Sequence, residues 1–150
     1  MALMFMGEYE HSLDERGRLA IPARYRGKLG DTLVVTLSRE RCLTAFPMET
    51  WERLAEEMSK LPMLTTADDY PDFVSFMFAR AADLEIDKQG RILIPSSLRE
   101  YAAIKDGVFI VGKNTCFEIW DRDLWLAKRS KLEQEGSAIA KRLGEMGLSI

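Results

Sequence analysis

Two aspartates and a set of basic side chains recur at fixed spacing, and they are the residues of this chain best placed to do chemistry. Asp14-Glu15-Arg16-Gly17-Arg18-Leu19-Ala20-Ile21-Pro22 returns 73 positions later as Asp87-Lys88-Gln89-Gly90-Arg91-Ile92-Leu93-Ile94-Pro95. Three chemistries compete for the repeated stretch. Asp14 and Asp87 can accept backbone N–H groups in a turn whose reversal Gly17 and Gly90 allow, with Arg18 and Arg91 paired to them, which would make a turn staple. Acid–base catalysis would use Asp14 beside Glu15, or Asp87 with Glu85. That requires one carboxyl pKa pushed away from the other and a nucleophile or activated water nearby. Each of these carboxylates has a cation close by, which lowers its pKa, and the chain has no Gly-rich phosphate loop, Gly-x-Ser-x-Gly or His-containing dyad. No enzymatic activity is expected.

The third chemistry is phosphate and base recognition. Arg16 and Arg18 are two apart and would share one side of a strand leaving the turn. Arg24, Arg26 and Lys28 follow within a short loop, and Lys88 and Arg91 supply the same groups from the second copy. The planar fork of arginine suits phosphate oxygens and the O6/N7 edge of guanine. Between positions 16 and 28 there are five basic residues and no acid. The duplication and the absence of acids favour DNA over a merely solvated run of charge.

The elements that must position these groups also come in two sets. In the first half, residues 6–13 read as a strand, 14–17 as a turn, 19–21 as a short strand stopped by Pro22, and 23–28 as a helical turn. Residues 32–37 and 42–46 form a hairpin, and 49–61 an amphipathic helix with Trp51, Leu54, Ala55, Met58 and Leu61 on one face. Residues 63–71 read as the connector between halves, and 73–80 as a short buried helix. The second half repeats the order: strand 82–86, turn 87–90, strand 92–94 ended by Pro95, helical turns 96–103, a hairpin of 108–111 with 116–120, and a helix over 121–135. Gly136 then interrupts, leaving 138–146 as a weak helical tail. Trp125 follows Trp51, and Cys116 follows Cys42, by 74 positions, so the duplication runs through the whole unit. One half buries too little apolar surface to fold comfortably alone. The expected architecture is therefore mainly β with flanking helices, the two repeats pairing about a pseudo-twofold axis to close one barrel. The units are residues 7–54, with the helix continuing to about 61, and 81–126, separated by 62–80 and followed by the tail 127–150.

Composition narrows the classes further. With 47% hydrophobic and 30% charged residues in 150, the chain is expected to fold as a soluble globular protein. Its apolar runs are too short to span a bilayer. Residues 1–6 are apolar but lack a basic flank and a cleavage site, so they read as a first strand or a ragged terminus rather than a signal peptide, and the protein is placed in the cytoplasm. Cys42 and Cys116 read as small buried hydrophobes, and His11, without a second histidine or a cysteine pair, as an ordinary strand residue; no metal or other cofactor is expected. The net charge of −3 argues against nucleic acid only as an average. Seven acids lie between positions 49 and 72, far along the chain from the basic cluster, and a surface charge is felt over only about 8 Å at physiological salt.

Three stretches carry a resemblance to a known family. They are Met4-Phe5-Met6-Gly7-Glu8-Tyr9-Glu10-His11-Ser12-Leu13-Asp14, Gly17-Arg18-Leu19-Ala20-Ile21-Pro22-Ala23-Arg24-Tyr25-Arg26 and, most specifically, Glu85-Ile86-Asp87-Lys88-Gln89-Gly90-Arg91-Ile92-Leu93-Ile94-Pro95. Over nearly its whole length the chain resembles the MraZ family of bacterial transcriptional regulators, within the wider AbrB-like group. The resemblance implies a double-split, swapped-hairpin β-barrel of two AbrB-like repeats, assembled head to tail into a ring. It implies binding to short tandem repeats of double-stranded DNA upstream of the family's own division and cell-wall operon, hence association with the nucleoid. Carried over, Arg18 and Arg91 are the DNA-facing arginines, Asp14 and Asp87 position them, and Arg16 and Lys88 fill the basic place inside each turn. Arg24 and Arg26 are added on charge clustering alone. An alternative is an oligomeric interaction module whose charged turns pair subunits instead of binding DNA.

Overall fold

Short apolar and β-branched runs form the central strands of this chain, and prolines set several limits of its elements. The computed structural model describes residues 4–61 and 69–149. Its first half comprises β1 (Glu8–Ser12), β2 (Arg18–Ala20), α1 (Ala23–Leu29), β3 (Thr32–Leu37), β4 (Leu43–Pro47) and α2 (Met48–Met58). Then come α3 (Asp69–Phe78), β5 (Ala82–Glu85), β6 (Arg91–Leu93), α4 (Ser96–Tyr101), β7 (Gly107–Lys113), β8 (Cys116–Asp121) and α5 (Arg122–Glu145). Pro22, Pro47 and Pro95 cap α1, α2 and α4, each with φ near −55° and extended ψ. A residue without an N–H that holds this φ ends a strand ladder and opens a helix at once.

Six strands form one antiparallel sheet in the order β1-β7-β8-β4-β3-β5, and β2 pairs with β6 as a separate ribbon. Exchanging the two halves, β1 for β5, β3 for β7 and β4 for β8, reverses this order and reproduces it. Each half thus sends its first strand to the hairpin of the other: β1 lies against β7, and β5 against β3. The expected closed barrel is not found. β1 and β5 are the free edges of an open sheet, and the three-residue strands of the ribbon stop before Pro22 and Pro95, too short to carry the ladder round to either edge.

The side chains alternate across the sheet. One face, with Leu33, Val35, Leu43, Val108, Ile110, Phe117 and Ile119, is covered by Leu19 and Ile92 of the ribbon and by Tyr25, Leu29 and Leu98 of α1 and α4, and together these make the main core. Tyr25 is its aromatic centre, with ring centroids 4.9, 5.5 and 5.1 Å from Phe5, Tyr9 and Phe117, and its hydroxyl donates to the Met6 carbonyl at 2.9 Å. The opposite face carries a smaller cluster of Cys42, Phe109, Val111, Trp120 and Trp125.

Three expectations are corrected. Residues 73–80 do not form a buried helix: α3 starts earlier, at Asp69, and none of its residues is buried, because only its inner side, with Phe76 and Phe78, meets the sheet and its neighbours. Gly136 does not interrupt α5, which runs unbroken for 24 residues, since a single glycine only weakens a helix whose flanks are good helix formers. The apolar start is expected as a first strand or a ragged terminus; of its described residues, 4–6, Phe5 is buried and bridges Asn114 while Met4 and Met6 are exposed, so this part forms an isolated bridge and not a strand. Residues 62–68, at the start of the connector, lie outside the described residues.

Candidate nucleic-acid interface

Both copies of the repeated stretch fold into the same turn. Gly17 and Gly90 adopt φ of 82° and 79°, the left-handed region that favours glycine. The Gly17 N–H donates to the Asp14 carbonyl at 3.0 Å and the Asp14 N–H to the Arg18 carbonyl at 3.0 Å; in the second copy the corresponding bonds, Gly90 to Asp87 and Asp87 to Arg91, are both 2.9 Å. Asp14 Oδ1 accepts the N–H groups of Arg16 and Arg18, both at 2.9 Å, as Asp87 Oδ1 accepts those of Gln89 and Arg91. The second carboxylate oxygen takes the arginine Nε, at 2.6 Å from Arg18 and 3.1 Å from Arg91. The turn staple is therefore real. In both copies it is made through the arginine Nε.

The fold then sets the two turns side by side. In the ribbon Arg18 faces Leu93, Leu19 faces Ile92 and Ala20 faces Arg91. The ladder is closed at both ends by the Ile21 N–H on the Gly90 carbonyl at 2.8 Å and the Ile94 N–H on the Gly17 carbonyl at 3.1 Å. Because side chains alternate, Leu19 and Ile92 point into the core, fully buried, while Arg18, Ala20, Arg91 and Leu93 share the outward face. Arg91 Nη1 also stands 4.0 Å from Asp14 Oδ2, so the first turn's carboxylate touches the arginines of both copies.

Arg16 lies in the turn itself and not on β2, so it does not share the outward face of Arg18 through strand alternation as expected; it is exposed on the turn, as Lys88 is in the second copy. Arg26 and Arg24 separate. Arg26 reaches the opposite copy's turn, where a Cβ on Gly90 would come within 2.8 Å of its Cζ. Arg24, two positions earlier and so about 200° round α1, is exposed on the side away from it. Lys28 turns elsewhere, its ammonium bonded to the Met4 carbonyl and 5.5 Å from the centre of the Phe5 ring. Arg99 was not singled out by the sequence reading. It mirrors Arg26: its guanidinium lies over Gly17, with a Cβ there only 3.0 Å from Cζ, and its Nε donates to the Ile94 carbonyl at 3.1 Å. The signal was available, because Arg99 follows Arg26 by the same 73 positions that separate the motifs.

The surface so built is a pair of turns carrying Arg16, Arg18 and Arg99 on one side and Lys88, Arg91 and Arg26 on the other. Its two carboxylates are held ionised. Asp14 is kept below the ordinary aspartate value of 3.8 first by the Arg18 backbone N–H; desolvation, next in size, opposes it, and the Arg18 side chain and the Arg16 N–H add smaller effects in the lowering direction. Asp87 is lowered in the same way by Arg91 and Gln89. A lowered carboxyl pKa contributes stability that is fully present above the ordinary value and is lost as pH falls through the lowered one. The midpoint of thermal unfolding should therefore decline below about pH 4, and the double variant Asp14→Asn/Asp87→Asn should lose part of that decline; melting curves taken from pH 2 to 7 check it. Elsewhere, burial pushes the Cys42 and Cys116 thiols up, so both remain protonated near neutrality. Among the described residues no group of three or more His, Cys, Asp and Glu side chains is placed to hold a metal ion, and no helix is long and apolar enough to cross a membrane.

Comparison with known proteins adds an independent observation. The family model for MraZ protein matches twice, over residues 4–73 and 77–144. A protein of Roseiflexus castenholzii named Transcriptional regulator MraZ is 43% identical over 143 residues, covering 95% of this chain and 99% of that protein. Proteins of the same name from Acetivibrio thermocellus and Ligilactobacillus salivarius are 41% and 43% identical over 145 residues, each covering 97% of this chain and 100% of the relative.

Proposed function

The chain belongs to the MraZ family, a family of transcriptional regulators rather than of enzymes, and from that premise we propose that it binds double-stranded DNA sequence-specifically through its paired turns. The observation that carries the reading is the shared outward face of Arg18 and Arg91, held in place by Asp14 and Asp87 and flanked by Arg26 and Arg99 from the opposite halves. A staple that oriented an arginine for fold stability alone would not need both guanidinium groups on one exposed face. Arg18 and Arg91 read base edges, Leu93, opposite Arg18 on the same face, meets a thymine methyl, and Arg16, Lys88, Arg26 and Arg99 take phosphates. Arg24 contacts the flanking backbone or solvent.

The target is the tandem repeats upstream of the chain's own reading frame, in a division and cell-wall operon. A ring-like homo-oligomer would engage several repeats at once, so weak contacts add through effective concentration. On this reading the protein works in the cytoplasm, on the nucleoid, without a cofactor or small-molecule substrate. The symmetric strand order supports two AbrB-like repeats, residues 7–54 and 81–126, in a double-split, swapped-hairpin arrangement, with 62–80 as connector and 127–150 as tail. Salt separates DNA binding from an interaction module whose turns pair subunits. With about six to ten phosphate contacts, affinity for the upstream DNA should fall roughly 10³- to 10⁵-fold between 50 and 200 mM salt. A flat salt response, or equal affinity for unrelated DNA of the same length, contradicts the proposal.

A further inference from the structure

The two turns share one backbone and carry unequal charge. Position by position, Asp14-Glu15-Arg16-Gly17-Arg18 answers to Asp87-Lys88-Gln89-Gly90-Arg91, so a carboxylate at Glu15 stands where the second turn has the Lys88 ammonium. The helices widen the difference, because each turn is covered from the other half: Arg99 of α4 lies over Gly17, and Arg26 of α1 over Gly90. On the first side Asp14, Glu15 and Glu100 offset Arg16, Arg18 and Arg99, and the formal charges cancel. On the second, Asp87 alone stands against Lys88, Arg91, Arg24 and Arg26. Since a surface charge is felt over only about 8 Å at physiological salt, the two sides present different fields to one ligand.

Glu15 is exposed and makes no ion pair among the described residues, whereas Asp14 is held by Arg18 and approached by Arg91. It lines a shallow recess of about 420 Å³ together with Leu13, Asp14, Arg16 and Arg18. A free carboxylate is repelled by the phosphate backbone. Its favourable partner on a duplex is an amino group on a base edge, and cytosine N4 is the one that a glutamate reads. Guanine O6 and cytosine N4 of one base pair are neighbouring atoms in the major groove, so a guanidinium and a carboxylate lining one recess match a G·C pair on both of its bases.

We propose that Glu15 accepts from cytosine N4 of the pair whose guanine Arg18 takes, and that Lys88, at the same place in the second turn, holds a phosphate instead. The likeness of the two turns is thereby broken, and the protein sits on its site in one orientation: the first turn on a G·C pair, the second turn with α1 as the stronger phosphate anchor. This inference rests on the reading of the paired turns as the DNA-binding surface.

The test selects duplexes from a randomised library with the full-length natural protein, Glu15→Ala and Lys88→Ala, then measures affinity by anisotropy on the selected sequence and its single-pair variants. Both side chains are exposed, so neither change should move the melting midpoint. The natural protein is expected to select one G·C pair in a fixed orientation, and Glu15→Ala to lower discrimination at that pair about fivefold or more with the other positions unchanged. Lys88→Ala should weaken binding to every duplex alike and reduce the slope of log affinity against log salt by about one. A Glu15→Ala protein with the natural base preference, whether or not it binds all duplexes more tightly, overturns the proposal, as does a Lys88→Ala protein that changes base preference and keeps the salt slope. A natural protein with no sequence preference would instead fail the DNA-binding reading itself, and would do so before either variant is compared.

Discussion

Arg18→Ala/Arg91→Ala is expected to lower affinity for the upstream DNA by roughly 30-fold to 10⁴-fold at fixed salt while leaving the fold intact. The estimate follows from two bidentate base contacts at about 1–3 kcal/mol each. It is a lower bound for an oligomer engaging several repeats, since each subunit loses the same contacts. The cost to folding should be small. Both ion pairs are partly exposed, at 29% for each arginine side chain, and such pairs contribute only about 0–1 kcal/mol. The core-facing Leu19 and Ile92 are untouched. Fluorescence anisotropy with labelled duplex, beside a thermal melt and a sedimentation profile, separates the two roles. Arg18→Lys/Arg91→Lys sharpens the result: it keeps the charge and loses the fork, so it should retain general DNA affinity and lose sequence preference. If the alanine variant instead falls apart into subunits that still bind DNA, the arginines serve assembly.

Ile92→Ala carries the largest expected effect on stability. Ile92 is fully buried opposite Leu19, where the ribbon packs into the main core. Removing a buried branched side chain to alanine costs about 2–5 kcal/mol, a large part of the stability of a domain this size. Urea unfolding followed by tryptophan fluorescence should show a lower midpoint with an unchanged slope. Leu93→Ala, one residue on, is the control. Leu93 is 55% exposed on the opposite face, and its loss should change stability by no more than about 0.5 kcal/mol. The contrast between neighbours tests the alternation that aims Arg18 and Arg91 outward.

Much of this was legible in the residues. The apolar and β-branched runs placed β3, β4, β7 and β8 to within two residues at each end, and the Asp-x-x-Gly-Arg spacing announced both turns, because local chemistry decides them: a short side-chain acceptor, a glycine at positive φ, an arginine four residues on. What sequence could not supply was long-range. The crossing of β1 and β5 to the opposite hairpins depends on pairing between halves that no local pattern encodes. The openness of the sheet depends on where three-residue strands run out of donors. Arg99 was passed over because its neighbours, Leu98 and Glu100, do not form a basic cluster; its role shows only when the 73-residue repeat is followed beyond the motif. The break expected at Gly136 overrated one glycine against the helix formers around it.

The claim that the paired turns are the DNA-facing surface is tested most directly by photocrosslinking. A photoreactive residue placed at Gln89, inside the second turn, or at Lys131, on the exposed side of α5, is irradiated with labelled upstream duplex under conditions where the natural protein binds. The prediction is an efficient DNA adduct from position 89 and none above background from position 131. Adducts from position 131 alone, with DNA binding intact in both proteins, would contradict it.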